Sequence, residues 1–341
     1  MSSALGAMVR RCFAQVGYEP RRDGGSSAAA LLSPPRRAPT RTHTAPKLLG
    51  GYRILARLAR GGMSSVYLAE RTADGTRVAV KLMNADLVDR AELVERFRTE
   101  IEITRRAHHR GVVSILDEGT SAEGAPFLAM ELLDGDSLAD LIEHEPLPIG
   151  AVAAIGAQLA DALSAVHRAG FVHCDVKPHN VFVLGRIGPA GWPAVKLFDF
   201  GIARASAAAA AEGGEIAGTP PYMAPEQWLS TGTVSPGSDI YGLGCLLYEL
   251  LTGEPPFDGS TAQELSKAHL EHRPDSLSFQ RPSIPLALER LVLSMLAKQP
   301  QRRPSAATVA RLLGDIAFSM PPGAREDAAP APSLLDDPAA A

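Results

Sequence analysis

Cysteine is scarce. Cys12, Cys174 and Cys245 are the three in 341 residues, and none forms a CxxC pair, so neither a disulfide framework nor a cysteine-built zinc knuckle is expected. That usage points to a reducing cytoplasm. No apolar run reaches the roughly 18 residues that a spanning helix needs. The N-terminus also lacks a continuous apolar stretch before a small-residue cleavage site, so a chain without membrane anchor or secretory signal is expected. Aromatics are only 5% of the chain and sparse among its N-terminal arginines, and no reading module accompanies them; nucleic-acid binding is therefore not expected. Internal repeats are absent, which excludes a solenoid.

What is there is apolar mass and uneven charge. At 45% hydrophobic, 341 residues bury more core than one typical domain holds, and two lobes or domains are expected. Net charge is −4, but residues 1–50 carry eight basic side chains against Glu19 and Asp23, leaving +6 there and −10 in the remainder. Residues 1 to about 48 are rich in Ser, Ala, Pro and Arg without periodicity, and Pro34, Pro35 and Pro39 oppose helix.

From Tyr52 to about Glu131 short runs of branched residues predict strands, with one helix between Asp89 and Ala107 where Leu93, Phe97, Ile101 and Thr104 recur at helical spacing. Beyond Asp136 helices are predicted at Ile149–Ala169, Asp239–Leu251 and Leu286–Leu296. The turn-forming run Gly185 to Pro193 predicts a long hairpin loop between two short strands, and after Met320 the composition returns to Pro, Ala and acids.

Chemistry concentrates in four stretches: Val78-Ala79-Val80-Lys81, His173-Cys174-Asp175-Val176-Lys177-Pro178-His179-Asn180, Asp199-Phe200-Gly201, and Gly218-Thr219-Pro220-Pro221-Tyr222-Met223-Ala224-Pro225-Glu226. In this order they resemble the signature set of the protein kinases, closest to the bacterial Hanks-type serine/threonine kinases, over about Tyr52 to Leu313. The resemblance implies an α+β, two-lobed fold with a small β-rich N-lobe carrying one main helix and a larger helical C-lobe. It divides the chain into a disordered basic extension (1–50), a kinase domain (51–316, with lobes of about 51–131 and 132–316) and a disordered acidic tail (317–341).

It also implies transfer of the γ-phosphoryl group of ATP to protein hydroxyls with Mg2+, and assigns residues. Asp175 accepts or aligns the hydroxyl proton, Lys177 steadies the transferred group, and Thr219 hydrogen-bonds toward both. Asn180 and Asp199 hold the metal, their oxygens suiting magnesium. Lys81 reaches the α and β phosphates and is positioned by Glu100, with Glu95 and Glu102 as competitors. The Gly-x-Gly-x-x-Gly loop falls on Ala59, Gly61 and Ser64, with Gly62 between them; only the middle glycine remains, so weakened nucleotide binding is expected, with Val66 capping adenine. Glu131 and Leu133 resemble the hinge that reads adenine, and Asp136 or Ser137 lies near the ribose. Asp239 resembles the brace of the catalytic loop, and Glu226 with Arg303 the family's ion pair.

A rival zinc site from His167, His173, Cys174 and His179 matches no familiar ligand spacing, and His173 reads instead as a packed core histidine. Cys174 reads as a small packed residue rather than an oxidation sensor.

Two departures matter. Cys174 stands where relatives carry an arginine that pairs with an activation-loop phosphate, and the loop, Ala203 to Ala217, has Ser206 as its only hydroxyl. Activity independent of activation-loop phosphorylation is expected. Arginines before Thr40, Thr42 and Thr44 make the basic extension a candidate for autophosphorylation, although His179 argues against a strongly basophilic preference. The alternatives are a pseudokinase acting as a nucleotide-binding or scaffolding signalling module, motivated by Ala59, Ser64 and Cys174, and a small-molecule phosphotransferase of similar fold.

Overall fold

Every residue from Val78 to Met83 is buried, as expected of a central strand covered on both faces. Around it the computed structural model, which describes residues 48–142, 147–185, 191–200, 218–229 and 233–320, builds an antiparallel sheet. Its strands are β1 (Leu48–Leu49), β2 (Tyr52–Arg60), β3 (Ser64–Arg71), β4 (Arg77–Met83), β5 (Ile115–Thr120) and β6 (Pro126–Glu131), in the order β1-β2-β3-β4-β6-β5. Strand β1 lies inside the stretch that composition marks as extension. Leu49, 2% exposed, gives it a reason to pair with Tyr52.

The chain divides into two compact units. The first holds the sheet and the opening half of helix α1 (Ala91–Arg106); the second takes residues 99–114 and everything from Leu133 onward. Phe97, Ile101 and Thr104 are buried along α1, the stripe that helical spacing predicts.

In the second unit, strand β7 (Gly135–Ser137) pairs with β8 (Val181–Leu184), and β8 with β9 (Ala194–Leu197). A Cβ on Gly135 would collide with the Val183 carbonyl, so only glycine lets β7 approach β8. The helices are α2 (Leu138–Ile142), α3 (Ile149–Arg168), α4 (Pro225–Trp228), α5 (Pro236–Thr252), α6 (Ala262–Glu271), α7 (Leu277–Gln280), α8 (Leu286–Met295) and α9 (Ala306–Ser319). Helix α3 is long and apolar enough to cross a membrane by length and composition, but it is the buried spine of this unit, sharing its core with α5 and α9. Helix α5 starts where Ser235 precedes Pro236 and stops at Gly253, whose φ of 91° only glycine adopts without strain. The hairpin loop after β8 brings Trp192 against Ala153, Ala154 and Ala317, and Gly150 leaves room for its ring.

One buried cluster makes stability depend on pH. His269 is fully buried against Trp228, Tyr241 and Phe257, with its Nδ1 2.9 Å from the Tyr241 hydroxyl. Burial first, and then the nearby Lys298 ammonium, push its pKa down to about 3 from 6.5. A depressed histidine contributes stability that is present above its unfolded pKa and is lost as pH falls toward the folded one. We expect the fold to lose about 2 kcal/mol between pH 7 and pH 5 from this group. Urea unfolding at the two pH values should show that loss, and His269→Leu should flatten it.

Candidate active site

In the first unit, directly opposed residues place their side chains on one face of the sheet. Ala59 faces Val66, Val66 faces Lys81 and Lys81 faces Leu128, so one row crosses β2, β3, β4 and β6. Two residues along, Leu68, Ala79 and Met130 form a second row on that face. Lys81 is 9% exposed, and its ammonium lies 5.9 Å from the centre of the Phe97 ring. Gly61 and Gly62 sit in the tip between β2 and β3, and Glu131 ends β6 opposite Val78. Sequence reasoning missed Leu68, Ala79 and Leu128. The alternation in Arg77–Lys81 already put Ala79 on the face of Lys81, whereas Leu68 and Leu128 join it only through strand register.

In the second unit, Asp175, Lys177, Asn180, Asp199 and Thr219 converge. The Thr219 hydroxyl donates to Asp175 Oδ1 at 2.9 Å, and Lys177 Nζ lies 2.7 Å from Asp175 Oδ2 while donating to Thr219 Oγ1 at 2.7 Å. The Asn180 amide donates to the Asp175 carbonyl at 2.9 Å and to its Oδ2 at 3.1 Å, and it reaches the Asp199 carbonyl at 3.4 Å. Asn180 is 3% exposed, held by the 3-10 turn Pro178–Asn180.

Two residues here adopt a left-handed backbone, Cys174 at φ 66° and Asp199 at φ 55°; they are the only non-glycine cases among the described residues. Such conformations cost about 1–3 kcal/mol each and persist where surroundings over-determine them. At Cys174 the surroundings are visible. Its N–H donates to Asp239 Oδ1 at 2.7 Å, and its carbonyl accepts from Gln227 at 2.9 Å. Asp239, wholly buried in the first turn of α5, also accepts the His173 N–H at 2.8 Å and meets His167 Nε2 at 2.7 Å. Asp199 is followed by Phe200, fully buried among Ile103, Val112, Ala162 and Val166 and tilted on the His173 ring at 4.6 Å. Burial pushes the His173 imidazole below the usual histidine range against the pull of Asp239, Asp175 and Asp199, so it serves as neutral packing under the loop.

Burial and hydrogen bonding differ among the alternatives that spacing left open. Glu100 is 8% exposed on α1, whereas Glu95 and Glu102 are exposed. Ser137 caps α2, donating to Asp140 Oδ2 at 2.7 Å and accepting the Asp140 N–H, which commits its hydroxyl and leaves Asp136, on β7, as the ribose candidate. Leu133 opens the second unit. Arg303 meets both Glu226 oxygens, at 2.7 and 2.9 Å. The activation segment 203–217, with Ser206, and the basic extension before Leu48 lie outside the described residues.

A model of the protein kinase domain matches residues 52–312. The chain is 43% identical to the serine/threonine-protein kinase Pkn1 of Myxococcus xanthus over 256 residues, covering 74% of this chain and 36% of that protein. It is 36% identical to the serine/threonine-protein kinase PknB of Mycobacterium leprae over 274 residues, covering 79% of this chain and 43% of that protein. The chain thus spans well under two thirds of the length of these relatives. The PknI kinase domain of Mycobacterium tuberculosis superposes with a TM-score of 0.61 at 27% identity, covering 79% of this chain and 97% of that one. A small antiparallel sheet with one main helix, a larger helical unit and these matches together make the chain a member of the protein kinase domain family, of the bacterial Hanks type.

Proposed function

We propose that this chain is a serine/threonine protein kinase of the cytoplasm, its catalytic domain running from about residue 51 to 316, which transfers the γ-phosphoryl group of ATP to protein hydroxyls with magnesium. The single observation that carries the reading is the convergence of Lys177, Asn180 and Thr219 on the Asp175 carboxylate. A carboxylate so held can accept a hydroxyl proton or fix the hydroxyl in line, and phosphoryl transfer asks mainly for positioning and charge. Lys177 supplies positive charge beside it.

Asn180 and Asp199 would hold magnesium. The Asn180 amide nitrogen is committed to Asp175, which leaves its Oδ1 as the ligand atom, and hard oxygens suit this ion. When bound, magnesium neutralises phosphate charge. Lys81, on the face shared with Val66, would hold the α and β phosphates, with Glu100 as its positioning partner and Val66 and Ala79 against the adenine. Glu131 and Leu133 would read the adenine edge, and Asp136 the ribose. Labelled ATP with magnesium and a generic acceptor protein tests this: label should appear on serine or threonine and vanish with a chelator. No transfer at all would favour the scaffold reading.

Activity should not need a phosphorylated activation segment. Cys174 itself offers a phosphate no cation, and the strained backbone there is held by Asp239 and Gln227. Ser206→Ala should therefore keep its rate within about twofold, because no phosphate contact is lost; loss of most activity would overturn the point. The threonines Thr40, Thr42 and Thr44 of the basic extension are proposed targets of the chain itself, which mass spectrometry after incubation with ATP would reveal.

A further inference from the structure

Gln227 uses both ends of its amide to join two stretches of the second unit. Its Oε1 accepts the Ala224 N–H at 2.9 Å at the start of α4, and that bond fixes which way the amide faces. Its Nε2 is then the end that meets Cys174, donating to the carbonyl at 2.9 Å.

That carbonyl belongs to the peptide group leading into Asp175, whose N–H donates at the other edge to His173 Nδ1 at 3.3 Å. A peptide group is planar, so bonds at both edges set the tilt of the whole unit and with it the direction of the Asp175 side chain. The two peptide groups before it are fixed by Asp239, whose Oδ2 and Oδ1 accept the His173 and Cys174 N–H groups. Asp239 therefore holds the plane before the Cys174 Cα, while Gln227 and His173 hold the plane after it. Held from both sides, Cys174 keeps its left-handed φ of 66°.

The stretch 218–227 thus grips the catalytic loop twice. Thr219 donates to Asp175 Oδ1 at 2.9 Å, and Gln227 takes the backbone one residue earlier. This stretch is itself anchored, because Glu226 beside Gln227 forms the buried pair with Arg303. It is also tightly folded: a Cβ on Gly218, whose φ is 128°, would lie 2.9 Å from the Met223 side chain and 3.6 Å from the Gln227 amide.

We propose that Gln227 is a positioning residue for phosphoryl transfer: through the Cys174 carbonyl it ties the segment carrying Thr219 to the backbone that aims Asp175, a tie that needs no phosphate. This deepens the kinase reading above and rests on it. Three variants separate the two ends of the amide. Gln227→Glu keeps an acceptor for the Ala224 N–H but sets a carboxylate oxygen against the Cys174 carbonyl. Gln227→Lys keeps a donor for that carbonyl and loses the acceptor. Gln227→Met keeps the length and loses both. Initial rates on a generic acceptor protein at varied magnesium-ATP give kcat and KM for the full chain and each variant, and urea unfolding follows the fold in parallel.

Gln227→Glu and Gln227→Met should lower kcat about thirtyfold with the KM for ATP within about twofold, because a misaimed Asp175 slows the chemical step and leaves nucleotide contacts alone. Gln227→Lys should keep kcat within about fivefold, although its unfolding midpoint should fall with that of Gln227→Met, since both lose the bond that caps α4. Rates that follow the acceptor instead, with Gln227→Glu near native and Gln227→Lys slow, would overturn the proposal and leave Gln227 a helix cap. So would all three variants staying within about threefold of native, or losses that vanish once rates are scaled to the folded fraction. A native chain that moves no label would overturn the kinase reading itself, and the proposal with it.

Discussion

Asp175→Asn should lower the rate of phosphoryl transfer about a thousandfold while leaving ATP affinity nearly unchanged, the size expected for loss of a positioned proton acceptor. The geometry explains why so small a change costs so much. An asparagine can still offer Thr219 an oxygen at the position of Oδ1, where the present bond is 2.9 Å, but its NH2 then stands at the position of Oδ2 and faces two donors. It carries no charge, so Lys177, now 2.7 Å from Oδ2, loses its counter-ion and Asn180 its anionic acceptor. Both the acceptor of the hydroxyl proton and the electrostatic order around it disappear together. Initial rates with labelled ATP, alongside nucleotide affinity, measure the split. Equal transfer by both chains would sink the assignment of Asp175.

Arg303→Leu should cost roughly 3–5 kcal/mol of stability, the range for breaking a buried ion pair from one side. The Arg303 side chain is wholly buried and spends its donors on Glu226 and on the carbonyls of Ala297, Gly237 and Lys298, at 2.7–2.9 Å. Removing it strands a carboxylate that keeps the Ser238 hydroxyl as a donor, at 2.7 Å, and three carbonyls besides. The double variant Glu226→Met with Arg303→Leu should recover part of the loss, because no charge is then stranded, but not all of it, since the carbonyls and Ser238 stay unsatisfied. Shifts in the midpoint of urea unfolding measure both variants. A single variant within about 1 kcal/mol of the native chain would show that the pair contributes no more than an exposed one.

Much of the site was legible because its chemistry is local in the chain. Asp175, Lys177 and Asn180 lie in one short loop, so their spacing in the chain already places them together. The helices were legible for a similar reason: apolar periodicity marks a buried stripe, as at Ile149–Ala169, observed as Ile149–Arg168. Glu100 could not be told from Glu95 and Glu102 by spacing, since all three lie on one helix. In the folded chain Glu100 is buried and the other two are exposed.

Other features depend on pairings between residues far apart, which a single sequence does not display. His167 meets Asp239 across 72 positions, and Gln227 supports Cys174 across 53. Trp192 finds the small-residue face of α3 only once the hairpin is folded. The row from Ala59 through Val66 and Lys81 to Leu128 is set by strand register, and a slip by one residue would send every side chain to the other face.

By itself the sequence determined the kind of chemistry, since residue types at short spacing set which groups can act together, and the helices, since periodicity sets which face is buried. The tertiary structure alone decided that Asp239 and Gln227 hold the strained backbone before Asp175, and that His269 stays neutral in its aromatic cluster. The physical reason is that hydrogen bonding and desolvation act over a few ångströms of space, whatever the distance along the chain.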